Sequence, residues 1–221
     1  MNENPARDMP RYQLPEVAAY VRMSQNTLGT WVRGRDQQPP IIHRPVSGDS
    51  RLSYNNLIEI YVIHALRQEL KVPLQTIRRG IEHVRKKYGL ERPLLSDQLR
   101  AREGELIFKI LGEYENVGRG GQLEIPEAVE QYLSRIDHEN GLPVRLYPVT
   151  RTNDPAGPRR IVILPDVGFG RPVTREHLIS SAVIYDRFSA GESIEDLADD
   201  YDLTKEDVEE AIRQQGFPHA A

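Results

Sequence analysis

The sequence predicts an α+β chain: a winged helix-turn-helix, then a small mainly antiparallel sheet with one helix, then three short helices in a helix-turn-helix-like arrangement. Three observations carry this. Residues 12–33 place apolar side chains at helical spacing on either side of a tight break. Residues 93–165 replace that spacing with short extended runs separated by Gly and Pro. Residues 166–221 return to helical spacing, with Ser and Thr at cap positions. The corresponding segments are 1–92, 93–165 and 166–221.

The first helix is expected over Pro15 to Val21, with Pro at a position where a missing amide costs nothing and Val17, Ala18 and Val21 on one face. Ser24 is the expected cap of a second helix, which buries Leu28, Trp31 and Val32. Gln25, Asn26, Thr27, Thr30 and Arg33 then point outward. These amides, hydroxyls and a guanidinium are the donors and acceptors that a helix needs to read a major groove, although a solvated helix would carry them equally well. Residues 33–52 are rich in Pro, Gly and Arg, and two short extended runs around Ser47-Gly48-Asp49 predict a hairpin. His43, Arg44 and Arg51 lie on this wing. Gln25, Asn26, Thr27 and Thr30 are assigned to base edges, and Arg22, Arg33, Arg35, Arg44 and Arg51 mostly to phosphates.

The order of these elements, with the wing ending Arg51-Leu52-Ser53-Tyr54 before a long helix and LKVPLQTIRR, resembles the MerR-type winged helix-turn-helix over about the first ninety residues. The resemblance implies operator DNA as a partner. After the wing, Leu57, Ile58, Tyr61, Val62, Ala65 and Leu66 mark a helix, and Pro73 restarts another with Leu74, Ile77, Ile81, Val84 and Tyr88 on one face and Gly89 at its end. The long coiled coil of MerR-like proteins is absent, because Pro93 interrupts the pattern. A homodimer, as a palindromic operator requires, must therefore form through other surfaces.

In the middle segment, Leu94 to Ala101, Glu105 to Leu111 and Gln122 to Ile125 are expected strands. A helix from Pro126 carries Ala128, Val129, Tyr132, Leu133 and Ile136 and ends at Asn140-Gly141, and strands follow over Val144 to Val149 and Arg160 to Leu164. The polar linker between those last strands is a candidate hinge. Toward the C-terminus, Val183, Ile184, Tyr185 and Phe188 lie on one helix, either packed on the sheet or forming a dimer surface. Ser193 caps the next, and Thr204 with Asp207 caps the last.

Charge separates the two ends. Residues 1–103 hold 17 Lys and Arg against 11 Asp and Glu, whereas the remainder hold 12 against 22. From Glu176 onward there are 12 acidic residues and 3 basic ones, a face that a DNA duplex would repel. Phe169-Gly170-Arg171-Pro172-Val173, AGESIEDLADDY and the closing EDVEEAI resemble the small domain of VapB-like antitoxins, whose partner is a PIN-like ribonuclease toxin. Where that family has a Gly-Thr turn, this chain has Thr174-Arg175-Glu176-His177. The resemblance implies toxin contacts through Glu192, Glu195, Asp196, Asp199, Asp200 and Asp202, which would steer a basic nuclease surface, and through Arg171. The alternative for Arg171 is neutralisation of acidic residues in its own domain.

The absence of cysteine excludes a disulfide framework, a thiolate metal site and a cysteine nucleophile. No apolar run approaches the roughly 20 residues of a membrane span, and the polar start is no signal peptide, so the cytoplasm is the expected compartment. No catalytic motif occurs, the Gly clusters at 118–121 and 168–170 read as turns, and no metal or cofactor is expected. Two functions compete: a toxin-neutralising antitoxin that represses its own operator, and a MerR-like regulator whose sheet domain binds a ligand and which has no toxin.

Overall fold

A computed structural model describes residues 5–35, 38–99 and 127–216. Its helices are α1 (Pro5–Asp8), α2 (Leu14–Val21), α3 (Gln25–Arg33), α4 (Tyr54–Leu70), α5 (Leu74–Tyr88), α6 (Glu127–Leu133), α7 (Ser181–Ser189), α8 (Ile194–Tyr201) and α9 (Lys205–Gln215). The strands are β1 (Ile136–Glu139), β2 (Leu142–Leu146), β3 (Ile161–Val162) and β4 (Val173–Thr174). The chain is α+β, and its strands form small antiparallel pairs. It divides into two compact units, Met1–Leu57 with Arg145–Ala221, and Ile58–Val144. The first unit thus joins the two ends of the chain, so these units cut it differently from the segments 1–92, 93–165 and 166–221.

In the first unit, α2 and α3 form the expected helix pair around buried Val17, Ala18, Leu28, Trp31 and Val32. Tyr12 and Leu52 pair through backbone hydrogen bonds of 3.0 and 2.8 Å, closing this segment at its base. The wing differs from the expected hairpin. Among the described residues of 34–53 there is no strand, only bridges at Arg35–Gln38 and Leu52–Tyr12. The Trp31 carbonyl instead accepts the amides of Ile41 and Ile42 at 2.9 and 3.2 Å, and buried Ile42 pins the returning chain. Three prolines in this stretch remove ladder donors, which accounts for the missing strands.

At the other end, the register pairs Ile161 with Thr174 and Val162 with Val173, and Leu146 bridges Ile163. Val173–Thr174 is therefore a strand where the sequence shows only a lead-in. Ile161, Ile184, Leu197, Ala198, Leu203, Val208 and Ala211 form the core beneath α7, α8 and α9. Ile184 is fully buried while Val183 and Phe188 stay 44% and 38% exposed, so the apolar positions expected on α7 divide between core and surface.

The second unit is built on α4, which is apolar on nearly every side. Ile58, Ile60, Val62, Ile63 and Leu66 are all fully buried. Arg92 forms a bidentate pair with Glu59 at 3.0 and 2.7 Å. Residues Leu94 to Ala101 do not begin as the expected strand, because Pro93–Leu95 and Asp97–Leu99 are tight 3-10 turns. The expected strands Glu105 to Leu111 and Gln122 to Ile125 lie outside the described residues. The helix expected to run to Asn140-Gly141 ends at Leu133. Asn140 and Gly141 have φ of 54° and 76°, and these paired left-handed residues form the two-residue turn that folds β1 onto β2. Turn chemistry prevails here over the helical spacing of Ile136.

Burial on α4, with the Arg67 charge adding to it, lowers the His64 pKa from 6.5 to about 4. The folded state then holds His64 neutral while the unfolded chain protonates below pH 6.5. The stabilisation is complete above that value and is lost as pH falls toward 4. Denaturant unfolding between pH 7.5 and 4.5 is expected to show up to about 2–3 kcal/mol of this loss. His64→Gln is expected to flatten the dependence, and an unchanged slope would remove His64 as its source.

Candidate nucleic-acid and partner interfaces

The recognition helix is set by its turn. Arg22 ends α2 in the left-handed conformation, φ 56° and ψ 48°, with its amide directed at the Ala18 and Ala19 carbonyls. Met23 is buried, and the Ser24 hydroxyl accepts the Thr27 amide at 3.2 Å to start α3. Asn26, Thr27 and Arg33 are exposed, whereas Gln25 and Thr30 are partly covered. The Thr30 hydroxyl donates to the Thr27 carbonyl at 2.7 Å, and the Arg33 guanidinium folds back over Gly29. Arg35 is exposed beside α3.

His43, Arg44 and Arg51 are exposed on the wing loop. Arg51 grips the Asp49 carboxylate through Nη2 at 2.7 Å, and that hydrogen-bonded pairing holds the Asp49 carboxyl below its usual range. Arg44 Nη1 donates to the Asp49 carbonyl at 3.2 Å. The His43 carbonyl accepts from Asn56 Nδ2 at 2.9 Å. The loop thus carries its cations on a braced tip.

Arg22 stands apart from the other expected phosphate contacts. Its Nη2 donates to the Thr150 carbonyl and, at 3.1 Å, to the Arg213 carbonyl in the last turn of α9. The guanidinium is directed into the protein, where it ties the turn of the first helix pair to the end of the second.

That second pair repeats the first in geometry. Asp202 ends α8 at φ 53° and ψ 44°, with its amide directed at the Ala198 and Asp199 carbonyls. Leu203 is buried as Met23 is, and Thr204 caps α9 by accepting the Asp207 amide as Ser24 accepts that of Thr27. Surface chemistry separates the two. Gln25, Asn26, Thr27 and Thr30 on α3 correspond to Lys205, Glu206, Asp207 and Glu210 on α9.

Two of those carboxylates are covered by the chain itself. Asp207 accepts Arg160 Nη1 at 2.8 Å; burial works against its charge, but hydrogen bonds from Thr204 and Arg160 prevail and keep its pKa low. Glu210, 1% exposed, receives Arg151 Nη2 at 2.6 Å, Arg213 Nη1 at 3.0 Å and the Thr150 hydroxyl. The helix equivalent to the DNA reader is therefore occupied internally, and the acidic surface that remains lies on α8 and its flanks.

On that surface Arg187 pairs with Glu192 and Asp200, and the hydrogen bond from Glu192 is the main reason its pKa rises. Lys205 pairs with Glu195 at 2.6 Å, and Asp196 accepts the Ser193 hydroxyl at 2.7 Å. Asp199 and Asp202 are exposed. Among the described residues there is no cluster of three or more His, Asp or Glu side chains placed to hold a metal ion, and no helix long and apolar enough to cross a membrane.

Arg171 forms an ion pair with Glu16 on α2. This is the alternative open to it in the sequence, with a partner from the other end of the chain. Two features escape the sequence reading. The Arg22 and Glu210 contacts depend on a long-range meeting that no local pattern announces. Phe169 is a different case: an aromatic between two turn glycines is a visible sign of exposure.

Residues 161–213 match a family described as a protein of unknown function, DUF433. The chain is 27% identical over 93% of its length, and over 93% of the relative, to the Mycobacterium tuberculosis H37Rv protein named "Putative antitoxin VapB45". It is 28% identical to the uncharacterized protein Rv2308 of the same organism, over 93% of this chain and 90% of that one. The crystal structure of Rv2018 from M. tuberculosis matches with a TM-score of 0.73 and 28% identity, covering 93% of this chain and 98% of that chain.

Proposed function

We propose that this chain is a non-enzymatic cytoplasmic antitoxin. It binds and neutralises a PIN-like ribonuclease toxin through residues 166–221, and as a homodimer it binds operator DNA through the MerR-like residues 1–92 to control its own transcription. The observation that carries the proposal is the pair of geometrically matched helix-turn-helix units with opposite surface chemistry, one neutral-to-basic and open, the other acidic and internally occupied. Similarity over most of the chain to a relative named as an antitoxin supports the same reading. Gln25, Asn26, Thr27 and Thr30 are assigned to base edges. Arg33, Arg35, His43, Arg44 and Arg51 are assigned to phosphates, and Arg22 is assigned instead to holding α3 in place.

The DNA half is tested by measuring binding to the chain's own upstream sequence at several salt concentrations. Arg44→Ala and Arg51→Ala are each expected to weaken binding to all sequences alike. Each should also flatten the slope of log affinity against log salt by about 0.9. Loss confined to one sequence, or an unchanged slope, would move the phosphate contacts off the wing.

A further inference from the structure

We infer that Phe169 is a docking anchor, the side chain that this protein inserts into an apolar, acid-rimmed pocket of a partner protein. Phe169 is 88% exposed, about twice the exposure of any other large apolar side chain on the chain's surface except Met9 and Val46, and so adds almost nothing to the core. It also sits at φ 55° and ψ 29°. A side chain with a β-carbon is strained there, whereas glycine is not, and glycines occupy both neighbouring positions at φ 55° and 76°. The chain therefore places a large aromatic in a conformation and an environment that both disfavour it. Strain of this kind collects at functional positions.

The loop that carries Phe169 is held firmly. The Gly170 amide donates to the Val167 carbonyl at 2.8 Å and the Arg171 amide to the Gly168 carbonyl at 3.0 Å, which makes a tight turn. Arg11 Nη1 donates to the Pro165 carbonyl, the buried Tyr12 hydroxyl donates to the Gly170 carbonyl at 2.8 Å, and Arg171 pairs with Glu16. A β-carbon at Gly170 would come within 2.3 Å of the Tyr12 oxygen, so the fixation requires glycine there. Both ends of the turn are thus stapled to the segment that leads into α2. An aromatic held in this way loses little freedom on binding, which is the condition for a strong anchor.

Charge identifies the occupant. Arg171 and Arg175 follow Phe169, with side chains 51% and 55% exposed, and Arg11 lies beneath the turn. A pocket that takes Phe169 is therefore matched by carboxylates at its rim. The partner is the toxin of the proposed function, and the inference rests on that reading.

The test uses the full-length chain and the purified nuclease partner, with calorimetry for binding, thermal melting for stability and light scattering for self-association. Phe169→Gly is expected to melt no lower than the wild type, because glycine relieves the positive φ, and to bind the nuclease about 30-fold or more weakly. Phe169→Leu is expected to fall between them. Wild-type affinity in both variants overturns the inference, as does a Phe169→Gly protein that melts several degrees lower, since Phe169 would then serve the fold. Self-association that Phe169→Gly abolishes while nuclease binding holds would assign the anchor to a second copy of this chain and overturn it too. A wild type that does not bind the nuclease contradicts the antitoxin reading itself, and that result is distinct from equal binding by wild type and variants.

Discussion

Glu210→Ala is expected to cost about 2–4 kcal/mol of stability in denaturant unfolding. The carboxylate is 1% exposed and gathers Arg151, Arg213 and the Thr150 hydroxyl, while Arg22 completes the cluster by bonding the carbonyls of Thr150 and Arg213. Removing it leaves three guanidiniums crowded around an empty acceptor. The cost falls below that of a fully buried pair because Arg151 and Arg213 are nearly half exposed and water recovers part of their solvation. Glu210→Gln keeps an acceptor and is expected to lose about half as much. A double-mutant cycle with Arg151→Ala should show coupling of about 1 kcal/mol or more. A change below about 0.5 kcal/mol in Glu210→Ala would mean that the cluster does not hold the two helix pairs together.

The parts of the fold legible in the sequence were those set by local chemistry. Ser24, Ser193 and Thr204 cap helices where a hydroxyl precedes an apolar periodic run, and Gly89 ends α5 in the left-handed conformation. Competing local signals produced the errors. Ile136 continues the spacing of α6, yet Asn140-Gly141 needs a hairpin more than the helix needs another turn. Leu94 and Leu95 look strand-like, but Pro93 before them favours a tight turn that buries both. The wing reads as a hairpin from Ser47-Gly48-Asp49, yet its anchor is the Trp31 carbonyl, which no pattern in the loop reveals.

The site was legible only in part for the same reason. The outward faces of α3 and α8 follow from helical spacing, so Asn26, Thr27, Arg33 and the acidic set emerge where expected. Arg22 has the composition and position of a phosphate contact, and only the approach of α9 turns it inward. Arg171 likewise finds Glu16, far away in sequence but adjacent once the two ends share one unit.

Neutralising Asp196, Asp199 and Asp200 together to Asn is expected to slow association with the nuclease by about tenfold or more and to reduce its dependence on salt. These carboxylates lie on or beside α8, and the nearby Arg187 and Lys205 offset only part of their charge. Asn preserves side-chain size and an acceptor for the Ser193 hydroxyl, so the fold should persist. Steering acts on the encounter, so dissociation should change much less. The most direct measurement follows RNA cleavage by the nuclease while this chain is titrated in, with association rates taken at low and at physiological salt. The account predicts that wild-type protein silences cleavage at a fixed stoichiometry and that the triple variant needs longer to do so. Cleavage that continues undiminished in excess wild-type protein would contradict it.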